Sequence, residues 1–156
     1  KSIGLVNSLG HAEIKVTEEG PKMVENWARA GGDSIWEQLI LLSPGVDFSQ
    51  IAIDIAFGFE INIPSKKTKA SCIRFIQSQK GVLNSVSGLE EAKKIENIFK
   101  VEFNGIIGKE YEDVIDNSGR LGYVIAYGDN TEDVLNACNK AIDCIKVTYK
   151  DGSNHE

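Results

Sequence analysis

Two carboxylates and one guanidinium lie near the start of the chain, at spacings that suit phosphate chemistry. Glu13 belongs to the run HAEIKVT, Glu25 and Arg29 belong to the run KMVENWARA, and the residues EEGP separate the two runs. Paired carboxylates are common protein ligands of a Mg²⁺ ion that bridges to substrate phosphates, and the planar fork of an arginine binds a phosphate at two points. The residue types therefore indicate metal-assisted phosphoryl chemistry. Short motifs have low specificity, so solvated charges on an outer face are the alternative interpretation.

The two runs have the features of strands joined in a hairpin. Gly20-Pro21 is a strong turn signal and predicts a loop of about four residues. Side chains alternate between the two faces of a strand. One face is therefore predicted to hold His11, Glu13 and Lys15 in the first strand and Glu25, Trp27 and Arg29 in the second. We interpret His11 as structural, as a single histidine on a strand more often is, with contact at the edge of such a site as the alternative.

The hairpin is followed by Gly31-Gly32-Asp33, which predicts a sharp turn into a helix over residues 34–42. The glycines allow the turn, and Asp33 is a suitable residue to cap the helix. A helix start preceded by glycines also binds anions in many proteins, so this junction is a candidate for phosphate or substrate carboxylate. Because Asp33 is itself negatively charged, a third interpretation is that it holds an amino group of a substrate.

The remaining chain divides into a second helix and a further lobe. Asp47-Phe-Ser-Gln50 has the spacing of a capping box, and Gly58 predicts the end of that helix, with Phe57 as a core candidate. The run PSKKTK (64–69) is the strongest boundary signal. Beyond it the patterns predict a hairpin of strands 70–77 and 81–86, a helix 89–95, a strand 97–104 with Phe99 inward, a strand 120–127 and a helix 131–147. Gly122 indicates a bulge or a close backbone approach within its strand, and Asn130 is the predicted start of the last helix. The predicted domains are 1–64 and 65–150, followed by a frayed tail at 151–156.

Composition excludes several classes of function. Of 156 residues 42% are hydrophobic, which is enough to bury the core of one domain or two small lobes. The net charge of -6 and the absence of a basic cluster longer than KKTK argue against nucleic acid and anionic membranes as partners. No apolar stretch approaches the roughly 20 residues that cross a bilayer. Three cysteines without metal-ligand spacing argue against a disulfide framework and a zinc site, and favour a reducing, cytoplasmic location. Because the first residue is lysine, we expect a fragment of a longer protein.

Two runs resemble the ATP-grasp superfamily. The stretch 11–33 is similar to the C-terminal half of the ATP-grasp catalytic domain, in which an H-x-E-x-K strand is followed by G-P, E-x-N-x-R and G-G-D. The matching residues are His11, Glu13, Lys15, Gly20, Pro21, Glu25, Arg29, Gly31, Gly32 and Asp33. Trp27 departs from the family asparagine, which weakens a second metal site. The run GRLGYVIAYGDNTEDV (119–134) resembles the small C-terminal domain of carboxylate-amine ligases, and the match extends over most of residues 3–149.

This resemblance implies both a fold and an activity. The expected fold is α+β, with the C-terminal lobe of an ATP-grasp domain followed by a small α+β domain of antiparallel strands. The expected activity is ATP-dependent carboxylate-amine ligation through an acyl phosphate, with ATP and Mg²⁺ as cofactors. Glu13 and Glu25 would bind the metal, and Arg29 would steady the phosphoryl group as the catalytic residue. The residues expected to border nucleotide and substrate are Trp27, Gly31, Gly32 and Asp33.

The resemblance also sets the expected partners and the alternatives. Small carboxylate and amine substrates and a missing N-terminal part of the same chain are implied, with a homodimer left open. The 156 residues alone are expected to be inactive. One alternative is a biotin-carboxylase-like or formate-using relative, which would share the metal residues. A second alternative is a non-catalytic ATP-grasp-like binding domain, which Trp27 favours.

Overall fold

The computed structural model describes residues 4–63 and 69–150. The chain divides into two compact units, whose described parts are these two ranges. The predicted boundary at 64–69 and the tail at 151–156 fall largely or wholly outside the described residues, so the bounds 1–64, 65–150 and 151–156 stay predictions. None of the helices in the described ranges is both long and apolar enough to cross a lipid bilayer.

The first unit begins with an antiparallel hairpin of β1 (His11–Thr17) and β2 (Gly20–Trp27). Its turn has two residues, Glu18 and Glu19, and the prediction of about four was therefore wrong. Gly20, with φ of 103°, already pairs with Thr17, and the Thr17 hydroxyl donates to the Gly20 carbonyl at 2.8 Å. Since glycine tolerates this backbone conformation, the hairpin closes before the proline is reached.

The predicted helix over 34–42 forms, but with an irregular first half. Residues Ile35–Leu39 are π-helical and run into α1 (Ile40–Leu42). The amide of Leu39 donates to the carbonyl of Ser34 at 3.0 Å, the five-residue step of a π-turn. Ser34 rather than Asp33 is the N-cap residue, and it makes no side-chain capping hydrogen bond. Both residues have left-handed backbone, with φ of 60° and 54°, which places Asp33 in the turn and not at the cap position.

The second helix, α2 (Phe48–Phe57), confirms both predicted ends. The Asp47 carboxylate accepts from the backbone amide of Gln50 at 3.0 Å, and Gly58 closes the helix in the left-handed conformation. The prediction that Phe57 lies in the core was wrong, because its side chain is 72% exposed and stacks on another exposed ring, with centroids 5.7 Å apart. Phe57 is the last residue of α2 and lies on a different side of the helix from the buried Ile51.

In residues 69–150 the second unit has two three-stranded antiparallel sheets and two α-helices. The sheet orders are β3-β7-β5 and β6-β4-β8. The elements are β3 (Ala70–Gln77), β4 (Gly81–Ser87), α3 (Leu89–Lys93), β5 (Ile98–Phe103), β6 (Glu110–Tyr111), a 3-10 turn (Asn117–Gly119), β7 (Arg120–Gly128), α4 (Thr131–Cys144) and β8 (Lys146–Lys150). Mixed helices and antiparallel strands confirm the predicted α+β class.

The predicted hairpin of β3 with β4 was wrong, because the two strands belong to different sheets. The connection between them is held by distant residues: the Ser78 amide donates to the Gly119 carbonyl at 2.8 Å, and the Ser78 hydroxyl donates to the Glu112 carbonyl at 2.7 Å. These bonds direct β3 against β7, whose residues Val124 and Ile125 are fully buried. Such long-range pairing leaves no local sequence signal.

Two irregularities shape the sheet β3-β7-β5, which we call the central sheet. In β5 the register passes from Ile98 to Lys100 against successive residues of β7, so Phe99 is the extra residue of a bulge. The prediction that Phe99 points inward was therefore wrong, and its side chain is 50% exposed. In β7 the predicted close backbone approach at Gly122 is confirmed, because a Cβ atom there would lie 2.1 Å from the Glu102 carbonyl oxygen.

The core of the second unit lies between α4 and the central sheet. Asn130 caps α4, as predicted, by accepting from the Asp133 amide at 2.9 Å. The helix ends at Cys144 and the chain returns as β8, which the prediction of a helix to residue 147 missed. Cys138 is buried in this core, and burial together with the Cys72 thiol raises its pKa to about 12. This cysteine is therefore a packing residue that stays protonated at neutral pH.

Candidate metal and phosphate site

Glu13 and Glu25, the two carboxylates predicted to bind metal, lie directly opposite each other. They are Cα partners across the β1–β2 hairpin, and partners in an antiparallel ladder project their side chains to the same face. The ladder has a bulge at this point, since the next pair is Ile14 with Met23 and Val24 is the extra residue. The irregularity thus lies beside the two carboxylates, a common position for a bulge near a site.

His11 completes a cluster with these carboxylates. One ligand atom from each of His11, Glu13 and Glu25 lies within 4.8 Å of the other two. The sequence favours a structural role for His11, with contact at the edge of the site as the alternative, and the structure places its imidazole beside the two carboxylates. The available signal was the two-residue spacing of His11 and Glu13, which places both side chains on one face of β1.

The imidazole of His11 is closely packed against Gly31. Its Nδ1 atom is buried and has no hydrogen-bond partner among the described residues. A Cβ atom at Gly31 would lie 3.2 Å from the Cδ2 atom of the ring, so the imidazole would have to shift by a few tenths of an ångström to make room for it. Gly31, predicted to border a substrate, therefore gives the imidazole the space that it occupies. A buried nitrogen without a partner is unusual in a folded protein and suits a group that receives an external ligand.

The cluster is electrostatically unbalanced. Like charges that face each other across a ladder destabilise the pair, and none of the ion pairs seen in residues 4–63 and 69–150 involves Glu13 or Glu25. By contrast, Lys22, which faces Lys15, is paired with Glu19 at 3.0 Å. Two carboxylates and an imidazole are a donor set that fits a divalent cation. A bound cation would remove the repulsion.

Arg29 lies just beyond the end of β2 and is held next to Trp27. Its guanidinium carbon is 5.4 Å from the centre of the Trp27 ring, and its Nη1 atom donates to the Ala30 carbonyl at 3.0 Å. Trp27 is 48% exposed and is the Cα partner of His11, so the indole lies at the same end of the hairpin as the cluster. Both side chains are therefore at the surface, where a substrate has access to them.

Arg29 also lines a groove that the sequence analysis did not identify. The groove has a volume of about 350 Å³. It is lined by Asn7, Ser8, Leu9, Arg29, Ala30, Trp36, Ala52, Ile55 and Ala56. Its wall comes from four separate segments of the first unit, so no local pattern predicts it. Trp36 belongs to the π-helical segment, whose backbone was likewise not foreseen.

The other two residues of the glycine turn lie at the surface. Gly32 is exposed, and its carbonyl accepts from the Ile35 amide at 2.9 Å. Asp33 is also exposed and follows directly in left-handed backbone. Contact with nucleotide or substrate stays a prediction for Trp27, Gly31, Gly32 and Asp33.

Comparisons with known proteins extend over nearly the whole chain. Residues 74–150 match the family L-amino acid ligase C-terminal domain 2. The protein y4rH of Sinorhizobium fredii is 25% identical over 146 residues, which is 93% of this chain and 30% of that protein. The L-amino acid ligase of Bacillus licheniformis has a similar structure, with a TM-score of 0.75, 21% identity, and coverage of 91% of this chain and 36% of that one. Phosphoribosylglycinamide synthetase of Anaerococcus prevotii gives a TM-score of 0.79 with 17% identity, over 96% and 39%.

The chain thus spans about a third of the length of these similar proteins. The match of fold nevertheless includes both compact units, because more than nine tenths of the chain is covered. Residues 74–150 are similar to the family L-amino acid ligase C-terminal domain 2. The chain as a whole shares its fold with part of the L-amino acid ligase and part of the phosphoribosylglycinamide synthetase, as the resemblance to ATP-grasp ligases implies.

Proposed function

We propose that these residues serve an ATP-dependent carboxylate-amine ligase that acts through an acyl phosphate. In this reaction a carboxylate oxygen attacks the γ-phosphorus of ATP, and ADP leaves. The amine nitrogen then attacks the acyl carbon, the carbon to phosphate-oxygen bond breaks, and phosphate and a proton are released as the amide forms. The observation that supports the proposal most is the face-to-face pair Glu13 and Glu25, on a fold shared with an L-amino acid ligase.

The carboxylates are the proposed metal ligands. Mg²⁺, when bound, neutralises phosphate charge and stabilises the charge that develops during transfer. Glu13 and Glu25 supply oxygen donors from two paired strands, so the hairpin fixes their separation. Glu25 is half-buried and Glu13 is exposed, which leaves one side of the pair open to a nucleotide.

Arg29 is the proposed catalytic residue. Its guanidinium lies against the Trp27 ring at 5.4 Å and is thereby restricted in position. A restricted guanidinium loses less freedom when it binds a phosphoryl oxygen. In this proposal Arg29 steadies the transferring group, and the exposed indole of Trp27 forms a wall that selects the side chain of the amine substrate.

Further expectations depend on the whole protein and are proposed with the activity. A reducing, cytoplasmic location is supported by the free thiols of Cys72, Cys138 and Cys144. A remaining part of the same polypeptide would provide the nucleotide site, since the similar proteins are about three times as long as this chain. Accordingly, residues 1–156 alone are expected neither to turn over nor to bind ATP at micromolar concentration.

The test uses the longest natural polypeptide that contains these residues, called here the full-length protein. Glu13→Gln and Glu25→Gln preserve shape while each removes one negative charge from the pair. We expect amino-acid-dependent release of ADP to fall about 100-fold in either variant, in line with the loss of one preorganised electrostatic contact. The matched control is Glu18→Gln, which removes the same charge from the turn of the same hairpin.

Two outcomes would decide the matter. If both variants kept near-normal rates at limiting Mg²⁺ while binding ATP, the carboxylates would be ordinary surface residues and the metal assignment would be wrong. If the full-length protein bound ATP but released no ADP with any pairing of amino acids, the non-catalytic alternative would replace the ligase.

A further inference from the structure

We propose that His11 is a third ligand of the metal site, and that the site therefore binds Mn²⁺ in preference to Mg²⁺. This deepens the proposed function, because it specifies the ion of the same site. Its evidence is separate: it rests on the imidazole, which the carboxylate argument does not use.

The first observation is convergence. A ligand atom of His11 and one oxygen each of Glu13 and Glu25 all lie within 4.8 Å of one another. Donors of one ion lie at most about 4 Å apart when metal to donor distances are about 2.0–2.2 Å, so small side-chain rotations bring these three donors to one cation. Two of the donors belong to opposite strands, so the ladder holds them in place.

The second observation is the orphaned nitrogen. The Nδ1 atom of His11 is buried without a partner among the described residues, and leaving a buried polar atom unsatisfied costs about 1–3 kcal/mol. A histidine that ligates through one nitrogen commonly donates its other N–H to a nearby oxygen. A cation and such an oxygen together would satisfy both ring nitrogens.

The third observation is that the surroundings preserve this arrangement. Any side chain at Gly31 would press on the imidazole, since even a Cβ atom would lie 3.2 Å from Cδ2 and 3.4 Å from Nε2. Gly31 is itself buried. The ring is therefore confined on the side of the glycine turn, which restricts its rotation and limits the entropy lost when it binds an ion.

The nature of the donors determines the ion. Mg²⁺ prefers oxygen ligands in a nearly ideal octahedron and retains its waters. Carboxylates suit both Mg²⁺ and Mn²⁺, whereas imidazole suits first-row transition ions, the series to which only Mn²⁺ of these two belongs. Three protein donors also leave positions open for phosphate oxygens. A site of one nitrogen and two oxygens should thus discriminate between the two ions, whereas a site of two carboxylates alone should not.

The test measures Mn²⁺ binding directly, without nucleotide or turnover. Mn²⁺ is titrated into the full-length protein, and its binding is measured from the loss of the free-ion signal in electron paramagnetic resonance. We expect His11→Gln to weaken Mn²⁺ binding about tenfold or more, and to change Mg²⁺ binding, measured by competition, by less than about twofold. His155→Gln, which alters the other histidine of the chain, is the matched control.

A pulsed spectrum identifies the ligand. We expect the bound Mn²⁺ to show ¹⁴N couplings that disappear in His11→Gln and persist in His155→Gln. A second variant, Gly31→Ala, keeps the imidazole but displaces it, and should weaken Mn²⁺ binding while the tryptophan emission still reports a folded first unit. Bound Mn²⁺ without ¹⁴N couplings, or the same affinity in His11→Gln as in the original chain, would overturn the proposal. Failure of Mn²⁺ to bind at millimolar concentration would overturn it as well.

These outcomes are distinguishable from a failure of the proposed function. If ¹⁴N couplings were absent while Glu25→Gln lost most of its turnover, His11 would not be a metal ligand. The proposed ligase activity would still be supported. Couplings that vanish in His11→Gln, together with full turnover in Glu25→Gln, would establish a metal site that the reaction does not use.

Discussion

Removing one of the two facing carboxylates should change the stability of the first unit in opposite directions with and without a divalent cation. Glu13 and Glu25 are cross-strand partners, and one oxygen of each lies within 4.8 Å of the other. Without a cation this proximity is repulsive, so Glu25→Gln should stabilise the hairpin. With a cation bound, the same carboxylate is a ligand, so the substitution should remove stabilisation.

The size of both effects follows from the geometry. Two unit charges at most 4.8 Å apart repel by about 0.9 kcal/mol or more at the dielectric constant of water, which suits a pair at the surface. For a unit of this size, such a change raises the melting temperature by about 3–7 °C. A cation at ten times its dissociation constant stabilises the unsubstituted chain by about 1.4 kcal/mol. The ranking of the two proteins should therefore reverse between chelator and excess Mn²⁺.

The chain is well suited to this measurement. Its two tryptophans, Trp27 and Trp36, lie in the first unit, and its four tyrosines lie beyond residue 110. Thermal unfolding followed by tryptophan emission thus reports on the first unit. Glu18→Gln is the matched control, because it removes a charge from the turn and should respond equally in chelator and in Mn²⁺.

Two results of the melting experiment would contradict this prediction. If Glu25→Gln lowered the melting temperature in chelator, the two carboxylates would not repel each other at the inferred separation. If Mn²⁺ and Mg²⁺ left the melting temperature of the unsubstituted chain unchanged at millimolar concentration, the pair would not be a cation site.

Three further predictions concern the scaffold. Gly122→Ala should destabilise the second unit by about 1–3 kcal/mol, because its Cβ atom would lie 2.1 Å from the Glu102 carbonyl oxygen; urea unfolding followed by tyrosine emission measures this. Hydrogen bonding to Lys100 lowers the pKa of the Glu102 carboxyl from 4.5 to about 2. The stabilisation from that pair is therefore present above pH 4.5 and lost as the pH falls toward 2, so an acid titration of Glu102→Gln should show a smaller loss over this range. Asp47→Ala should lower the stability of the first unit by about 1 kcal/mol, because the cap to the Gln50 amide is lost; tryptophan emission during urea unfolding tests it.

Local chemistry predicted the ends of helices and the shared face of the hairpin. Asp47, Asn130 and Gly58 act through neighbours within a few residues, so their patterns are sufficient. Likewise, two-residue alternation was enough to place Glu13 and His11 together. The distance between the His11 imidazole and Glu25 could not be predicted in this way, because it depends on the register of the hairpin and on the bulge at Val24.

Features that depend on long-range pairing could not be predicted. The assignment of β3 and β4 to different sheets is fixed by contacts of Ser78 with residues more than thirty positions away. Phe99 turns outward because of one extra residue in β5, which alternation does not reveal. The groove around Arg29 and Trp36 requires four segments to pack, and the π-helical geometry of Ile35–Leu39 has no simple sequence signature.

The bulge at Val24 has a consequence for finding and transplanting the carboxylate pair. A straight ladder grown from this two-residue turn would bring Glu13 opposite Val24, and Glu25 would point to the other face. One inserted residue corrects this, so eleven residues separate the carboxylates where an unbroken ladder would need ten. A search of other chains by fixed spacing would therefore miss equivalent pairs in hairpins without the insertion. For the same reason, grafting the pair onto a regular hairpin requires deleting Val24, which would preserve the pairing of Glu13 with Glu25 and shorten the loop between them by one position.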